Sequence, residues 1–225
     1  MIRTVLIDID NTLLDFHKCA DACLRQGFSE WGLPYRADTF STFLTVNDRL
    51  WHEIEQGRLD REGLGKVRFP TIFRALGIAA DGEAFEARFA QLLCLSHEPV
   101  EGAMELLRYL AGKYPVYAAS NSRHDQQVQR LGLAGMTPFL QEIFTSERLG
   151  APKPSAAFFS ACLAAIGNPP KDEVVLIGDS LEADIRGALD FGIRAGWFCY
   201  AGQPRDSGLP VEFTVRRLSE IPQYL

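Results

Sequence analysis

The chain has 225 residues, 47% hydrophobic and 23% charged, with a formal net charge of −6. This balance suits a globular protein with one sizeable core, or a core plus a smaller unit, and an acidic chain lacking a basic stripe argues against a nucleic-acid polymer or an anionic membrane as partner. No apolar stretch reaches the length of a membrane span, no signal-peptide pattern opens the chain, and Cys19, Cys23, Cys94, Cys162 and Cys199 are scattered without a Cys-x-x-Cys pair, which predicts reduced thiols in a cytoplasmic protein.

Residues 4–7 read as a buried apolar strand that ends in Asp8-Ile9-Asp10. Two carboxylates there cost desolvation and mutual repulsion unless a cation or a proton offsets them. Residues 16–98 then show only helical periodicity. Phe16, Cys19, Cys23, Leu24, Phe28 and Trp31 share one helical face. Asp38 is positioned to cap a second helix, which ends near Gly57. Asp60 is positioned to cap a third that runs to Gly77 and that Pro70 should kink or split, and Phe85, Phe89, Leu92 and Leu93 mark a fourth. From Pro99 the pattern becomes alternating helix and strand. Helices are predicted over 101–111, 126–131, 155–166 and 181–191, and strands over 115–119, 142–145, 173–177, 195–198 and 213–215. Short apolar strands alternating with helices predict a parallel sheet covered on both faces.

Functional groups of open parallel sheets gather at the carboxyl ends of the strands. The predicted strand ends here carry Asp8-Ile9-Asp10-Asn11-Thr12, then Ser120-Asn121-Ser122, then Gly150-Ala151-Pro152-Lys153-Pro154, then Gly178-Asp179-Ser180 with Asp184 beyond. Each is ordinary alone. Asp8 and Asp10 suit an Asx-turn, Ser120 a helix cap, Lys153 a solvated loop and Asp184 a helix first turn. Only their joint placement at strand ends points to chemistry.

The order and spacing of these groups resemble the haloacid dehalogenase superfamily, whose usual members are magnesium phosphatases. Asp8-x-Asp10-x-Thr12 is similar to its first motif, Ser120 to its second, Lys153 to its third, and Gly178-Asp179 with Asp184 to its fourth. Leu13-Leu14-Asp15-Phe16, Val46-Asn47, Leu50-Trp51 and Gly150-x-x-Lys153-Pro154 further resemble the pyrimidine 5'-nucleotidase subgroup. The resemblance implies an α/β fold, a Rossmann-like three-layer parallel-sheet core over residues 1–15 and 99–225, with a four-helix cap inserted over 16–98. It implies Mg2+-dependent hydrolysis of a phosphomonoester through an aspartyl-phosphate, on a nucleoside 5'-monophosphate with pyrimidine favoured.

The implied roles follow the chemistry. A phosphate dianion repels an anionic nucleophile, so carboxylate attack needs a divalent cation. Asp8 is expected to be the nucleophile and Asp10 the general acid, then base. Asp8, the main-chain carbonyl of Asp10, and Asp179 are expected to bind Mg2+, with Asp184 orienting a water or Lys153. Ser120, Asn121 and Lys153 are expected to bind the phosphoryl group. Within the cap, Phe16, Asn47 and Trp51 are candidates to read a pyrimidine, the alternative for Asn47 being a bond to a neighbouring helix. Phe40 and Phe43 are expected in the core, and Arg123 and His124 on a solvated face.

Three rivals remain from the sequence. Another small-metabolite phosphatase, acting on phosphoglycolate or a sugar phosphate, shares every core motif. A 2-haloacid dehalogenase has no leaving alkoxide to protonate and needs neither Asp10 nor Mg2+. A non-enzymatic phospho-accepting signalling module would accept phosphate on an Asp after a later strand, whereas the strand before Ser120 ends in none. Oligomeric state is not legible.

Overall fold

The computed structural model describes residues 1–200 and 208–225. β1 (Thr4–Ile7) is followed by four helices, α1 (Phe16–Glu30), α2 (Thr39–Glu55), α3 (Arg61–Leu76) and α4 (Gly82–Leu95). Alternation then sets in with α5 (Ala103–Ala111), β2 (Val116–Ser120), α6 (His124–Leu133), β3 (Glu142–Thr145), α7 (Ser146–Leu149), α8 (Ala156–Ala165), β4 (Val174–Gly178), α9 (Gly187–Phe191), β5 (Arg194–Phe198) and β6 (Phe213–Val215). The described residues form two units, Met1–Phe16 with His97–Leu225, and His17–Ser96.

The first unit is built on a six-stranded sheet of order β3-β2-β1-β4-β5-β6, and every pairing is parallel. β1 lies between β2 and β4, with Ile7 in register with Ala118 and Ile177. Successive β1 residues point to opposite faces, so both faces must be apolar. Val5 and Ile7 join Leu106, Leu107 and Leu110 of α5 and Leu131 of α6 in one core. Leu6 joins Phe158, Phe159 and Cys162 of α8 and Ala188 of α9 in the other. The result is a three-layer α/β arrangement that brings the ends of β1, β2 and β4 side by side.

Residues 181–191, expected as one helix, instead make a π-helical turn over Leu181–Arg186 and then α9. The Ser180 carbonyl accepts from the N–H groups of both Asp184 and Ile185, each at 3.1 Å. The wider turn lays Asp184 against the end of β4, where a Cβ on Gly178 would collide with the Asp184 carboxylate. Only glycine permits that approach.

The helical unit is held by aromatic packing. Phe28, Phe43, Phe69, Phe73, Phe85 and Phe89 are all buried, with ring centroids as close as 4.7 Å for Phe69 and Phe85. Pro70 does not split α3, which runs as one helix through it. Phe69, Ile72 and Phe73 are buried on both sides of the proline, and their burial outweighs one lost backbone bond. α4 begins against this point, and a Cβ on Gly82 would collide with the Pro70 backbone. Asp60 and Asp81 cap α3 and α4, accepting from Gly63 N at 2.7 Å and Ala84 N at 3.0 Å. Asp38 precedes α2 but caps nothing with its side chain; its own backbone is already helical, and its carboxylate takes Arg36 at 3.3 Å.

One polar network lies in this aromatic core. The Arg68 guanidinium donates to both oxygens of Glu86, at 2.6 and 3.0 Å, and to Asn47 Oδ1 at 3.0 Å. A buried cation is tolerable only when its donors are matched in this way. Asn47→Ala should therefore lower the unfolding free energy by about 1–3 kcal/mol, because an Arg68 donor loses its acceptor. Chemical denaturation checks this, and an unchanged midpoint would show that the contact carries no weight.

Candidate active site

Local backbone geometry separates the two carboxylates at the end of β1. Asp8 N–H donates to the Ile177 carbonyl at 2.8 Å, extending the pairing with β4 by one residue. The chain then turns tightly, and the Ile9 carbonyl accepts from Thr12, Leu13 and Leu14 at 3.3, 2.8 and 2.8 Å. Asn11 sits at φ 61°, a left-handed conformation that a short polar side chain tolerates.

Asp8 faces inward and is buried. Its Oδ1 accepts from Lys153 Nζ at 2.7 Å. Lys153 is 2% exposed, and Nζ also donates to Asp184 Oδ1 at 2.6 Å and to the Ala119 carbonyl at 2.6 Å. All three ammonium hydrogens therefore have acceptors. Asn121 fixes the lysine from behind: Lys153 N–H donates to Asn121 Oδ1 at 2.7 Å, and Asn121 Nδ2 donates to the Lys153 carbonyl at 2.9 Å. The Asn121 side chain thus positions Lys153.

Asp8, Asp179 and Asp184 each offer an oxygen within 4.8 Å of the others. Asp184 is 1% exposed, and its second oxygen accepts from Ser180 N–H at 3.1 Å. Trp197 Nε1 donates to the Asp179 carbonyl at 3.1 Å and steadies that residue. Burial pushes the Asp8 carboxyl up to about 7; Lys153 opposes the rise, while Asp184 and Asp10 add to it. Asp179, although part of its surface reaches solvent, is held well above the usual carboxylate range, first by desolvation and then by Asp8 and Asp184. Burial alone would lower the Lys153 ammonium, but Asp184 and Asp8 together outweigh it and hold it above its ordinary value. Clustered oxygen donors that one lysine only partly neutralises are the donor set a hard divalent cation takes.

Asp10 stays partly exposed and turns to α6. Its Oδ1 accepts from Arg130 Nη1 at 2.6 Å and its Oδ2 from Gln127 Nε2 at 2.7 Å. The carboxylate is outside the acidic cluster, which leaves its main-chain carbonyl as the group with which Asp10 could meet a cation. Gln127 Nε2 also donates to Ser120 Oγ at 3.0 Å, at the end of β2. Sequence reasoning missed Gln127 and Arg130. The available signal was a broken hydrophobic pattern, since the buried face of α6 is Gln126, Gln127, Arg130 and Leu131.

Arg123 pairs with Asp125 at the surface, and His124 N–H donates to Glu147. Phe16 is half-buried. Trp51 is half-buried with the Arg61 guanidinium 5.3 Å from its ring centroid, and Asn47, 3% exposed, gives its carbonyl to Arg68. Phe43 is fully buried and Phe40 half-buried, stacked 6.3 Å apart.

Comparison with known proteins places this geometry in a family. The haloacid dehalogenase-like hydrolase profile matches residues 2–192. The pyrimidine 5'-nucleotidase PynA of Streptococcus pneumoniae is 32% identical, covering 87% of this chain and 83% of its own. The pyrimidine 5'-nucleotidase YjjG of Escherichia coli is 26% identical over 98% of this chain and 96% of its own. The crystal structure of the HAD-hydrolase YfnB of Bacillus subtilis, described as bound to magnesium, is 30% identical and superposes with a TM-score of 0.92 over 99% of this chain and 97% of that one. A family match across most of the chain, on a fold shared almost end to end, makes this protein a member of the haloacid dehalogenase-like hydrolases.

Proposed function

We propose that the protein is a Mg2+-dependent phosphomonoester hydrolase that passes the phosphoryl group through Asp8, acting on nucleoside 5'-monophosphates with pyrimidines favoured. The observation that carries this reading is the different surroundings of two carboxylates two residues apart. Asp8 is paired with Lys153 beside Asp179 and Asp184, while Asp10 is held separately on α6. The partners differ: Asp8 is directed into the acidic cluster, and Asp10 is anchored beside Ser120, where a leaving group could be met. A dehalogenase has no task for Asp10.

In the proposed cycle Asp8 attacks phosphorus and the P–O bond to the leaving group breaks. Asp10 gives its proton to the departing alkoxide. Asp10 then takes a proton from the water that attacks the phosphorylated Asp8, and the carboxylate is restored with release of inorganic phosphate. Ser120 hydrogen-bonds a phosphoryl oxygen. Lys153 holds Asp8 in its attacking orientation, and its charge offsets the crowding of carboxylates. Asp8, Asp179 and the Asp10 carbonyl would hold Mg2+, whose chemistry is to neutralise charge between carboxylate and phosphoryl oxygens.

The preference for pyrimidine nucleotides draws on similarity to PynA and YjjG. The buried, Arg68-bonded position of Asn47 adds no support for its reading of a base. The deciding experiment is phosphate release from dUMP, UMP, dTMP, AMP, phosphoglycolate and hexose phosphates with Mg2+ present. Preference for the pyrimidine monophosphates is expected; preference for phosphoglycolate or a sugar phosphate would keep the chemistry and overturn the substrate.

Asp8→Asn should reduce turnover at least about a thousandfold, roughly 4 kcal/mol of barrier, since an amide is a poor nucleophile. Retention of a tenth of the activity would move the nucleophile elsewhere. Cation binding has a pH signature. Folded Asp8 keeps its proton to about 7, whereas an unfolded aspartate releases it near 4, so without a cation this group costs stability as pH rises between those values. A cation competes with such protons. Mg2+ should raise the Tm of the metal-free protein more at about pH 8 than at about pH 5, and no shift at either would contradict the metal assignment.

A further inference from the structure

Ser120 and Asp10 follow different strands, and one helix face holds both. Gln127 Nε2 donates to Ser120 Oγ at 3.0 Å and to Asp10 Oδ2 at 2.7 Å. Arg130 Nη1 donates to Asp10 Oδ1 at 2.6 Å and to Gln127 Oε1 at 3.2 Å. Gln127 and Arg130 are both 0% exposed. They stand three residues apart, one helical turn, and so present to the same side.

We infer that Gln127 and Arg130 are positioning residues for the reaction, which fix the direction of the Asp10 carboxyl, with Ser120 as the second anchor of the Gln127 amide. The inference rests on the proposed role of Asp10 as proton donor to the leaving group.

Three features carry it. Nε2 of an amide only donates, so Ser120 Oγ is an acceptor in that bond and its own hydrogen is left to point at another oxygen. That is the polarity a phosphoryl oxygen needs. Each Asp10 oxygen takes one fixed donor, so the carboxyl plane is set by two bonds rather than by free rotation of an otherwise partly exposed side chain. Arg130 and Gln127 are also bonded to each other, so neither can swing without disturbing the other. A glutamine serving only as an acceptor for Arg130 would have no need to place its Nε2 between Ser120 Oγ and Asp10 Oδ2.

A residue that acts through Asp10 should fail where Asp10 matters. p-Nitrophenolate leaves without protonation, but a ribose 5'-alkoxide does not. The test measures kcat and KM for a nucleoside monophosphate and for p-nitrophenyl phosphate in Asp10→Asn, Gln127→Met, Arg130→Met and Arg130→Lys, and in the double variant Asp10→Asn with Gln127→Met. Gln127→Met keeps side-chain length and leaves the Arg130–Asp10 pair in place, so it answers the question even if Arg130→Met does not fold. The expected result for Gln127→Met is a fall in kcat of about tenfold or more on the nucleotide, under about threefold on p-nitrophenyl phosphate, with KM little changed. Arg130→Lys should recover part of the loss of Arg130→Met, and the double variant should be about as slow as Asp10→Asn alone. Equal losses on both substrates, or losses that multiply in the double variant, would overturn the inference while Asp10→Asn still discriminates between leaving groups. If Asp10→Asn itself does not discriminate, the acid role of Asp10 fails, and the inference falls with it.

Discussion

The ammonium of Lys153 is the contact on which the site depends. It lies between Asp8 and Asp184, with the Ala119 carbonyl as its third acceptor, and all three contacts are between 2.6 and 2.7 Å. The partners come from the ends of β1, β2 and the turn after β4, so one side chain ties three strand ends together. Removing that cation would leave Asp8, Asp179 and Asp184 gathered without compensation, in a region where burial and mutual repulsion already raise Asp8 and Asp179. Much of the surrounding structure serves this contact. Asn121 clamps the lysine backbone, glycine at 178 makes room for Asp184, and the π-helical turn brings that carboxylate into reach.

Against this fixed centre, Asp10 is handled differently. Only one residue separates it from Asp8 in the chain, yet the turn at Asn11 and the triple use of the Ile9 carbonyl send it to α6. Proximity in sequence and separation in partners allow the two carboxyls to take different parts in one reaction. The parallel sheet makes this possible by stacking strand ends so that a helix following one strand can reach the loop following its neighbour.

The strands were legible because both faces of a parallel sheet must be apolar, and runs such as 174–177 and 116–119 have no other easy reading. The groups at their ends were legible as a set, since no strand needs Asp8, Ser120, Lys153 or Asp179 to terminate. Gln127 and Arg130 were not, because their meaning depends on Asp10, some 120 residues away, and a helix with three buried polar residues looks like one with an exposed face. The π-helical turn was hidden for a similar reason: its register is set by the approach of Asp184 to Gly178, not by local propensity. Pro70 does not split α3 because phenylalanines pack on either side of it, a tertiary contact that local helix-breaking does not weigh. Asn47 stood out as polar on an apolar face, but its partner Arg68 lies on the next helix, and periodicity does not reveal pairings between helices.

The central claim is that Asp8, held by Lys153, becomes covalently phosphorylated during turnover. The most direct measurement is acid quenching within one turnover on a substrate carrying a radiolabelled phosphoryl group, followed by mapping of the labelled peptide. The account predicts transient label on the peptide that contains Asp8, lost on alkaline treatment as an acyl phosphate should be. A burst of labelled inorganic phosphate with no label ever on the protein would contradict it, and would mean that water attacks the substrate directly.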